Sequence, residues 1–347
     1  MKFRKAMALL LAGTMALSMA ACGGGSSSSS SDSSSSDAES TDSTDSSDSS
    51  DVTLSVTIWD SNQEPGLTQI MNDFTEKTGI KTKVSVVKWD EYWTLLESGA
   101  QGGSLPDVFW MHSNEAVRYM SNDILLDLTD KIADSDKLEM DKFPKDIKEM
   151  YQWDGKTYAV PKDIDTIAMW YNKDMFDEAG IDYPDGSWTW DEFYDIAEKL
   201  TKEDGSQYGF AANPSNEQDT WMNIVYSMGG TILTDDNKSG FDDPNTIKAM
   251  EFVDKCVKNV MPPASTMSET GTDVLFGSGK VAMISQGSWM VSAFKDNDYI
   301  KEHCDVARLP KDAETGESVS IYNGLGWAAS ANTDMPDEAF QLIEWFG

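Results

Sequence analysis

Histidine and cysteine are scarce in this 347-residue chain, which has two histidines and three cysteines. Neither His112 nor His303 has a cysteine, histidine or acidic residue at the spacing of a metal motif, and no catalytic-triad motif is recognisable. The run from Asp235 to Gly240 begins like a calcium-binding loop, but Thr246 stands at its twelfth position, where a glutamate is needed. The sequence therefore predicts a polar turn there, no metal site and no cofactor.

Basic residues are also scarce. The chain has 27 lysines and arginines against 60 aspartates and glutamates, and its formal net charge is -33. Such a charge repels nucleic acid and anionic lipid, so we expect neither as a partner. Because acidic residues occur throughout, the sequence singles out no carboxylate pair for glycan cleavage.

One long apolar run stands at the N-terminus. Three basic residues precede the apolar residues 6–21, which is typical of a secretory signal peptide over residues 1–21. A retained transmembrane helix is the alternative, but a single span needs about 20 apolar residues. The sequence SMAAC resembles a lipobox, which implies that Cys22 is acylated. Residues 22–51 are almost all small or acidic. Because this segment has almost no apolar surface to bury, its composition predicts a disordered tether.

The other two cysteines are Cys256 and Cys304. In an exported chain they can form one disulfide. Apolar residues at helical spacing around Cys256, including Phe252 and Val253, suit a buried free thiol equally well. Both alternatives stay open at this level.

From Val52 onward, strand and helix patterns alternate. Residues 52–58 alternate apolar and polar side chains, which predicts a strand that delivers Trp59 and Asp60 to its carboxyl end. A helix beginning at Pro65, a second strand, a second helix and a third strand ending near His112 follow. This order predicts parallel pairing in an α/β layer, with any ligand at the carboxyl ends of the strands.

The stretch 165–201 has the clearest local signals. Residues 166–171 form an apolar run that predicts a strand, and Asn172 is placed to cap a short helix that Gly180 ends. Thr189, with Glu192 three residues later, has the spacing of a capping box at the start of a second helix.

The amino-acid sequence of this stretch resembles that of a known family. The runs YNKDMFDEAG and TWDEFYDIAEKLT, followed by GKVAMISQGSWM at residues 279–290, are similar to signatures of the family 1 extracellular solute-binding proteins. These are sugar receptors of ABC importers related to maltose-binding protein. The resemblance implies an α/β, two-lobe, type II periplasmic-binding-protein fold. It implies lobe 1 at residues 52–162 and 303–347, lobe 2 at residues 163–302, and a C-terminus that stops short of the family's full length.

The function implied by the resemblance is capture of a mono- or oligosaccharide by a monomer, for delivery to an ABC permease. The lipid anchor would hold it on the outer face of the bacterial cytoplasmic membrane. A sugar receptor needs aromatic platforms and hydrogen-bonding carboxylates and amides in a dry cleft. Trp289 matches the family's sugar-stacking tryptophan. The other candidate ligand-binding residues lie at strand ends, at the first crossing between the lobes, at a helix start and in a loop. They are Trp59, Asp60 and His112 at strand ends, Asp163 at the crossing, Trp221 at the helix start, and Asn323 and Gly324 in the loop.

Two other functions remain open. A receptor for a non-sugar solute such as a polyamine fits the acidic, tryptophan-rich sequence, whereas the lack of clustered basic residues argues against an anion. An exported glycan-active enzyme is the other alternative, and it would require an acidic pair that the sequence does not single out.

Overall fold

The computed structural model describes residues 52–234, 236 and 238–347. The signal peptide, the tether and Cys22 lie outside the described residues, as do Asp235 and Asn237 of the calcium-loop pattern. The described chain forms two α/β lobes, each with its own sheet and apolar core. Within the described residues, no helix has both the length and the apolar composition needed to cross a bilayer.

Strands and helices alternate through most of the chain. The strands are β1 (Thr53–Ile58), β2 (Lys81–Val86), β3 (Val108–His112), β4 (Gln152–Trp153), β5 (Lys156–Thr157), β6 (Ala159–Pro161), β7 (Asp165–Asn172), β8 (Met283–Gly287), β9 (Cys304–Ala307), β10 (Tyr322–Asn323) and β11 (Leu325–Ala329). The helices are α1 (Glu64–Thr78), α2 (Trp89–Gly102), α3 (Ser113–Met120), α4 (Thr129–Asp134), α5 (Lys145–Glu149), α6 (Lys173–Ala179), α7 (Trp190–Leu200), α8 (Trp221–Ser227), α9 (Pro244–Asn259), α10 (Ala264–Thr270), α11 (Thr272–Gly277), α12 (Val291–Asp296), α13 (Asp298–His303) and α14 (Pro336–Phe346).

Lobe 1 is built on a sheet with the strand order β2-β1-β3-β11-β6. The pairing of β1 with β2 and β3 is parallel, as the alternating pattern predicts. β11 returns late in the sequence and lies antiparallel between β3 and β6. Trp110 of β3 and Trp327 of β11 are opposite each other and fully buried. Their burial holds the returning strand in the lobe 1 core.

Lobe 2 is built around β7, which pairs antiparallel with β8, β9 and β10. The local signals in this stretch are confirmed. The side chain of Asn172 accepts a hydrogen bond from the Met175 amide at the start of α6, and Gly180 ends that helix with positive φ. Thr189 and Glu192 form the capping box of α7. The aromatic side chains of α7 are then buried in the lobe 2 core.

The return to lobe 1 occurs later than the predicted residue 303. Residues from 303 onward are assigned to lobe 1 by the resemblance, but the strand β9 pairs with β7 of lobe 2. β10 also pairs with β7, and the chain enters the lobe 1 sheet only at Leu325. Because β9 and β10 both pair with β7, lobe 2 extends to about residue 323 rather than 302.

The two remaining cysteines are not joined. Cys256 and Cys304 are both free and buried. Burial raises the pKa of each thiol to about 12, so neither is a reactive thiolate near neutral pH. The structure thus supports the buried-thiol alternative.

Candidate functional site

The carboxyl ends of two lobe 1 strands meet at one edge of the sheet. Trp59 and Asp60 follow β1 directly, and His112 is the last residue of β3. Because β11 runs antiparallel to β3, its first residue, Leu325, lies opposite His112. Residues far apart in sequence therefore meet at the edge that faces the crossing strands.

Lobe 2 contributes the residues after β8. This strand ends at Gly287 and is followed by a 3-10 turn, Ser288–Met290. The half-buried indole of Trp289 lies over the Cα of Gly287, where a Cβ atom would stand 1.9 Å from the ring. Gly287 has an ordinary φ of -84°, so glycine is required here for the close approach of the ring and not for the backbone conformation.

A cleft of about 300 Å³ lies between these two sets of residues. Its size is at the lower end of the range for small-molecule sites. Its lining comes from both lobes and from the crossing strands: Trp59, Asp60, Asn62, Gln63, Trp89, His112, Asp163, Asp165, Asn216, Gln218, Trp289, Met290, Asn323 and Leu325.

Aromatic rings cover much of the lobe 1 wall. The rings of Trp59 and Trp89 meet edge to face with centroids 5.1 Å apart. Trp59 makes similar contacts with the buried side chains Tyr92 and Trp110, which fix its orientation. Trp89 is 40% exposed. It therefore has free ring surface at the cleft, which a flat apolar face of a ligand can cover.

The three aspartates of the cleft have different partners. Asp60 accepts hydrogen bonds from the Asn62 amide and the Gln63 side chain, both at 2.9 Å. Asp163 accepts from the Leu325 amide at 3.0 Å, and its other oxygen is 2.5 Å from Lys162 Nζ. Asp165 accepts from Ser288 Oγ at 2.8 Å. Burial and the neighbouring Asp163 raise the pKa of Asp165.

His112 is buried and neutral at the floor of the cleft. Burial lowers its pKa to about 4. Its Nδ1 accepts a hydrogen bond from the Asn114 amide, so Nε2 carries the ring hydrogen. The Asn323 amide nitrogen lies 3.1 Å from Nε2. Because Nε2 carries the hydrogen, a 180° rotation of this amide places its oxygen where it can accept that hydrogen. The ring and the amide therefore orient each other.

Two amides of the lining have unused hydrogen-bonding capacity. Gln218 Oε1 and one polar atom of the Asn323 amide are buried and lack a partner within the described residues. Gln218 is 7% exposed and Asn323 is 3% exposed. A buried polar group without a partner costs about 1–3 kcal/mol, which a hydroxyl-bearing ligand would recover.

A smaller recess of about 150 Å³ adjoins the cleft and shares Trp89, His112, Asn216 and Gln218 with it. At its border, Asn114 of lobe 1 donates to Glu217 of lobe 2 at 2.8 Å. Next to Gln218, Asp219 is buried, and burial raises its pKa to about 8. The lobes thus already touch through a direct polar contact beside the cleft.

Two of the predicted site residues lie elsewhere. Trp221 begins α8 but packs against the lobe 2 core and the ring of Phe241, with centroids 5.6 Å apart. Gly324 lies beneath the crossing, where a Cβ atom would be 2.9 Å from the carbonyl oxygen of Asp163. Neither lines the cleft, and for Gly324 the close backbone approach is the reason for glycine.

The chain also matches a family model. The model for the bacterial extracellular solute-binding proteins covers residues 69–347, which is most of the described chain. This chain is a bacterial extracellular solute-binding protein. The two-lobe architecture is that of the periplasmic sugar-binding proteins among its structural neighbours.

Several curated relatives of this solute-binding protein are named for sugars. The galactooligosaccharide-binding protein of Bacillus subtilis is 26% identical over 342 residues, covering 93% of this chain and 71% of that protein. The maltotriose-binding protein of Pyrococcus abyssi is 26% identical, covering 84% of this chain and 62% of that protein. Such relatives are binding proteins rather than enzymes.

Solved structures show the same fold. An ABC substrate-binding protein from Listeria monocytogenes, in complex with cycloalternan, matches with a TM-score of 0.78 and 24% identity. The match covers 86% of this chain and 75% of that one. A solute-binding protein from Agrobacterium radiobacter, in complex with ribitol, matches with a TM-score of 0.73 and 26% identity, covering 85% and 75% of the two chains.

The sequence reasoning missed several residues that line the cleft of this solute-binding protein. Trp89 is the first residue of α2, and the prediction from strand ends therefore did not include it. Asp165 is the first residue of β7, and the apolar pattern of residues 166–171 marks it only as the boundary of a strand. Asn216 and Gln218 lie in a loop before α8 without a recognisable spacing. The tryptophan content was the one signal that could have drawn attention to Trp89.

Proposed function

We propose that this chain is the substrate-binding component of an ABC importer, which captures a mono- or oligosaccharide between its lobes and delivers it to a membrane permease. One observation carries the proposal. Tryptophans from both lobes, Trp59 and Trp89 on one side and Trp289 on the other, line a single cleft together with carboxylates and amides. Sugars present apolar C–H faces to aromatic rings and hydroxyls to polar groups.

The geometry accounts for both affinity and closure. Each stacked ring contributes about 0.5–1.5 kcal/mol beyond burial, and each hydrogen bond to a charged group about 1.5–3 kcal/mol. Two or three of each are enough for a micromolar complex of about 8 kcal/mol. Because the ligand contacts both lobes only when they are closed, binding favours the closed state, which a permease can distinguish from the open one.

The remaining parts of the proposal rest on the sequence. The signal peptide would direct export, and acylated Cys22 would anchor the mature monomer to the outer face of the cytoplasmic membrane. Residues 22–51 would act as the tether. The role of each cleft residue is likewise a proposal: Trp59, Trp89 and Trp289 stack on the sugar, while Asp60, Asp163, Asp165, His112, Gln218 and Asn323 bind or orient its hydroxyls.

A thermal melt of the full chain against a panel of mono- and oligosaccharides tests the function. A ligand at a hundred times its dissociation constant adds about 2.7 kcal/mol to the free energy of unfolding. We expect a shift with one type of sugar and its loss in the Trp289→Ala variant. Trp153→Ala is the matched control, because Trp153 is 43% exposed and lies outside the cleft lining. A panel in which only polyamines shift the melt would contradict a sugar receptor, and turnover of an oligosaccharide would point to an enzyme.

A further inference from the structure

The cleft has an excess of negative charge. Asp60, Asp163 and Asp165 line it, and within the described residues no lysine or arginine is part of that lining. Lys162 lies behind Asp163, with its Nζ 2.5 Å from the carboxylate and 4.5 Å from the centre of the Trp110 ring. This contact neutralises one of the three aspartates. Two negative charges therefore remain at the wall of a small cleft.

Local structure accounts for Asp60 but not for Asp165. Both oxygens of Asp60 accept hydrogen bonds from residues two and three positions later, which is a common way to close a turn before a helix. Asp165 is partly buried next to the like-charged Asp163, and the structure gives it the Ser288 hydroxyl as a donor. Lys162 offsets part of this repulsion, but its ammonium group contacts Asp163 and not Asp165. A partly buried carboxylate beside a second one is stabilised further when a cation contacts it directly.

A second, independent observation points to a ligand at this place. Gln218 lies close to the His112 ring, but its Oε1 accepts no hydrogen bond of good geometry within the described residues, and its side chain is more than nine-tenths buried. It lines the same cleft as Asp165. Gln218 Oε1 is therefore a free acceptor in the cleft, and a ligand that supplies a hydrogen would satisfy it.

The cation that fits is organic and not a metal ion. Within the described residues, no group of three or more histidine, cysteine or acidic side chains is arranged to hold a metal. The aromatic rings of Trp59, Trp89 and Trp289 line the cleft with the carboxylates. Aromatic faces combined with carboxylates favour an ammonium group, because both attract positive charge.

We propose that the preferred ligand is a saccharide that bears a protonated amino group, and that Asp165 is the residue that binds this group. The inference rests on the proposed function, because the sugar rings would still stack on the tryptophans. It predicts discrimination between sugars that differ only in an amine and a hydroxyl. Exchanging a neutral hydrogen bond for a charged one in this cleft should favour the amine by about tenfold.

Titration calorimetry on the full chain with matched pairs of probes tests this. The pairs are glucosamine with glucose, galactosamine with galactose, and the glucosamine disaccharide with cellobiose, all at pH 6.5. We expect the amino member of at least one pair to bind about tenfold more tightly, with the preference falling as salt is raised from 20 to 300 mM. In Asp165→Asn the ratio of the two affinities should approach one. Asp195→Asn, an equal change of charge at an exposed position of α7, should keep the ratio.

The outcomes separate this inference from the function on which it rests. Equal or tighter binding of the hydroxyl sugar, or a preference that persists in Asp165→Asn, overturns the amine inference and leaves a receptor for neutral sugars. Binding of spermidine without binding of any saccharide overturns both. A panel of sugars in which no member binds also overturns both.

Discussion

Replacing Gly287 with alanine should weaken ligand binding without unfolding the protein. The new Cβ would stand 1.9 Å from the Trp289 ring, whereas ordinary contact begins at 3.4 Å. The ring must therefore move by roughly 1.5 Å away from the end of β8. Because φ at Gly287 is -84°, alanine fits the backbone without strain. The perturbation thus acts on the position of one aromatic platform.

The expected size follows from the stacking that is lost. A displaced ring forfeits up to the full stacking contribution of about 0.5–1.5 kcal/mol, which corresponds to a roughly two- to twelvefold weaker affinity. Stability should change little, because a glycine-to-alanine change in an ordinary conformation restricts the unfolded chain and contributes about 0.4–1 kcal/mol in the favourable direction. The affinity and the melting temperature should therefore move independently.

A double-mutant cycle with Trp289→Ala shows whether the effect runs through the ring. Affinity for the most effective sugar of the panel is measured by calorimetry in the wild type, both single variants and the double variant. If Gly287→Ala acts by displacing the indole, the double variant binds as weakly as Trp289→Ala alone. Additive losses, or an unchanged affinity in Gly287→Ala, would refute the platform role assigned to Trp289.

Three further predictions concern stability. His112 has a pKa of about 4 in the folded state and near 6.5 in the unfolded state, so the folded protein loses stability as the pH falls. Lowering the pH from 7 to 4 should reduce the free energy of unfolding of the wild type by about 3 kcal/mol more than that of His112→Gln. Urea unfolding at each pH measures this difference. For Asp219 the pH dependence is the reverse: its folded-state pKa of about 8 means that the protein loses stability as the pH rises toward 8. Asp219→Asn should therefore be more stable than the wild type by a few kcal/mol at pH 7, but not at pH 3. An equal melting temperature of this variant and the wild type at pH 7 would contradict the burial argument. Thr189→Ala removes half of the capping box of α7 and should lower stability by about 1 kcal/mol, whereas Ser206→Ala in an exposed turn should lower it less.

The local elements could be predicted from the sequence because their signals are short-range. The cap at Asn172, the stop at Gly180 and the capping box at Thr189 each depend on side chains within three or four residues of a helix end. The parallel pairing of β1 with β2 and β3 follows from strands alternating with helices. The same reasoning proposed Trp59, Asp60 and His112 as ligand residues because they lie at the carboxyl ends of these strands, and all three line the cleft.

The second crossing could not be predicted, because strand partners are chosen by long-range packing. A strand pattern at residues 304–307 fits either lobe, and only its pairing with β7 places it in lobe 2. Trp221 shows the same limit: a tryptophan at a helix start can face a cleft or a core, and here the core of lobe 2 buries more of its surface.

By itself, the sequence determined the ends of α6 and α7, the strands β1, β2, β3 and β7, the acidic charge and the family signature, because each is encoded in neighbouring residues or in composition. Only the tertiary structure decided which side chains share the cleft. Trp89, Asp165 and Gln218 reach it from three separate segments of the chain. The physical reason is that burial and strand pairing act between residues far apart in the chain, where no local pattern records which partners meet.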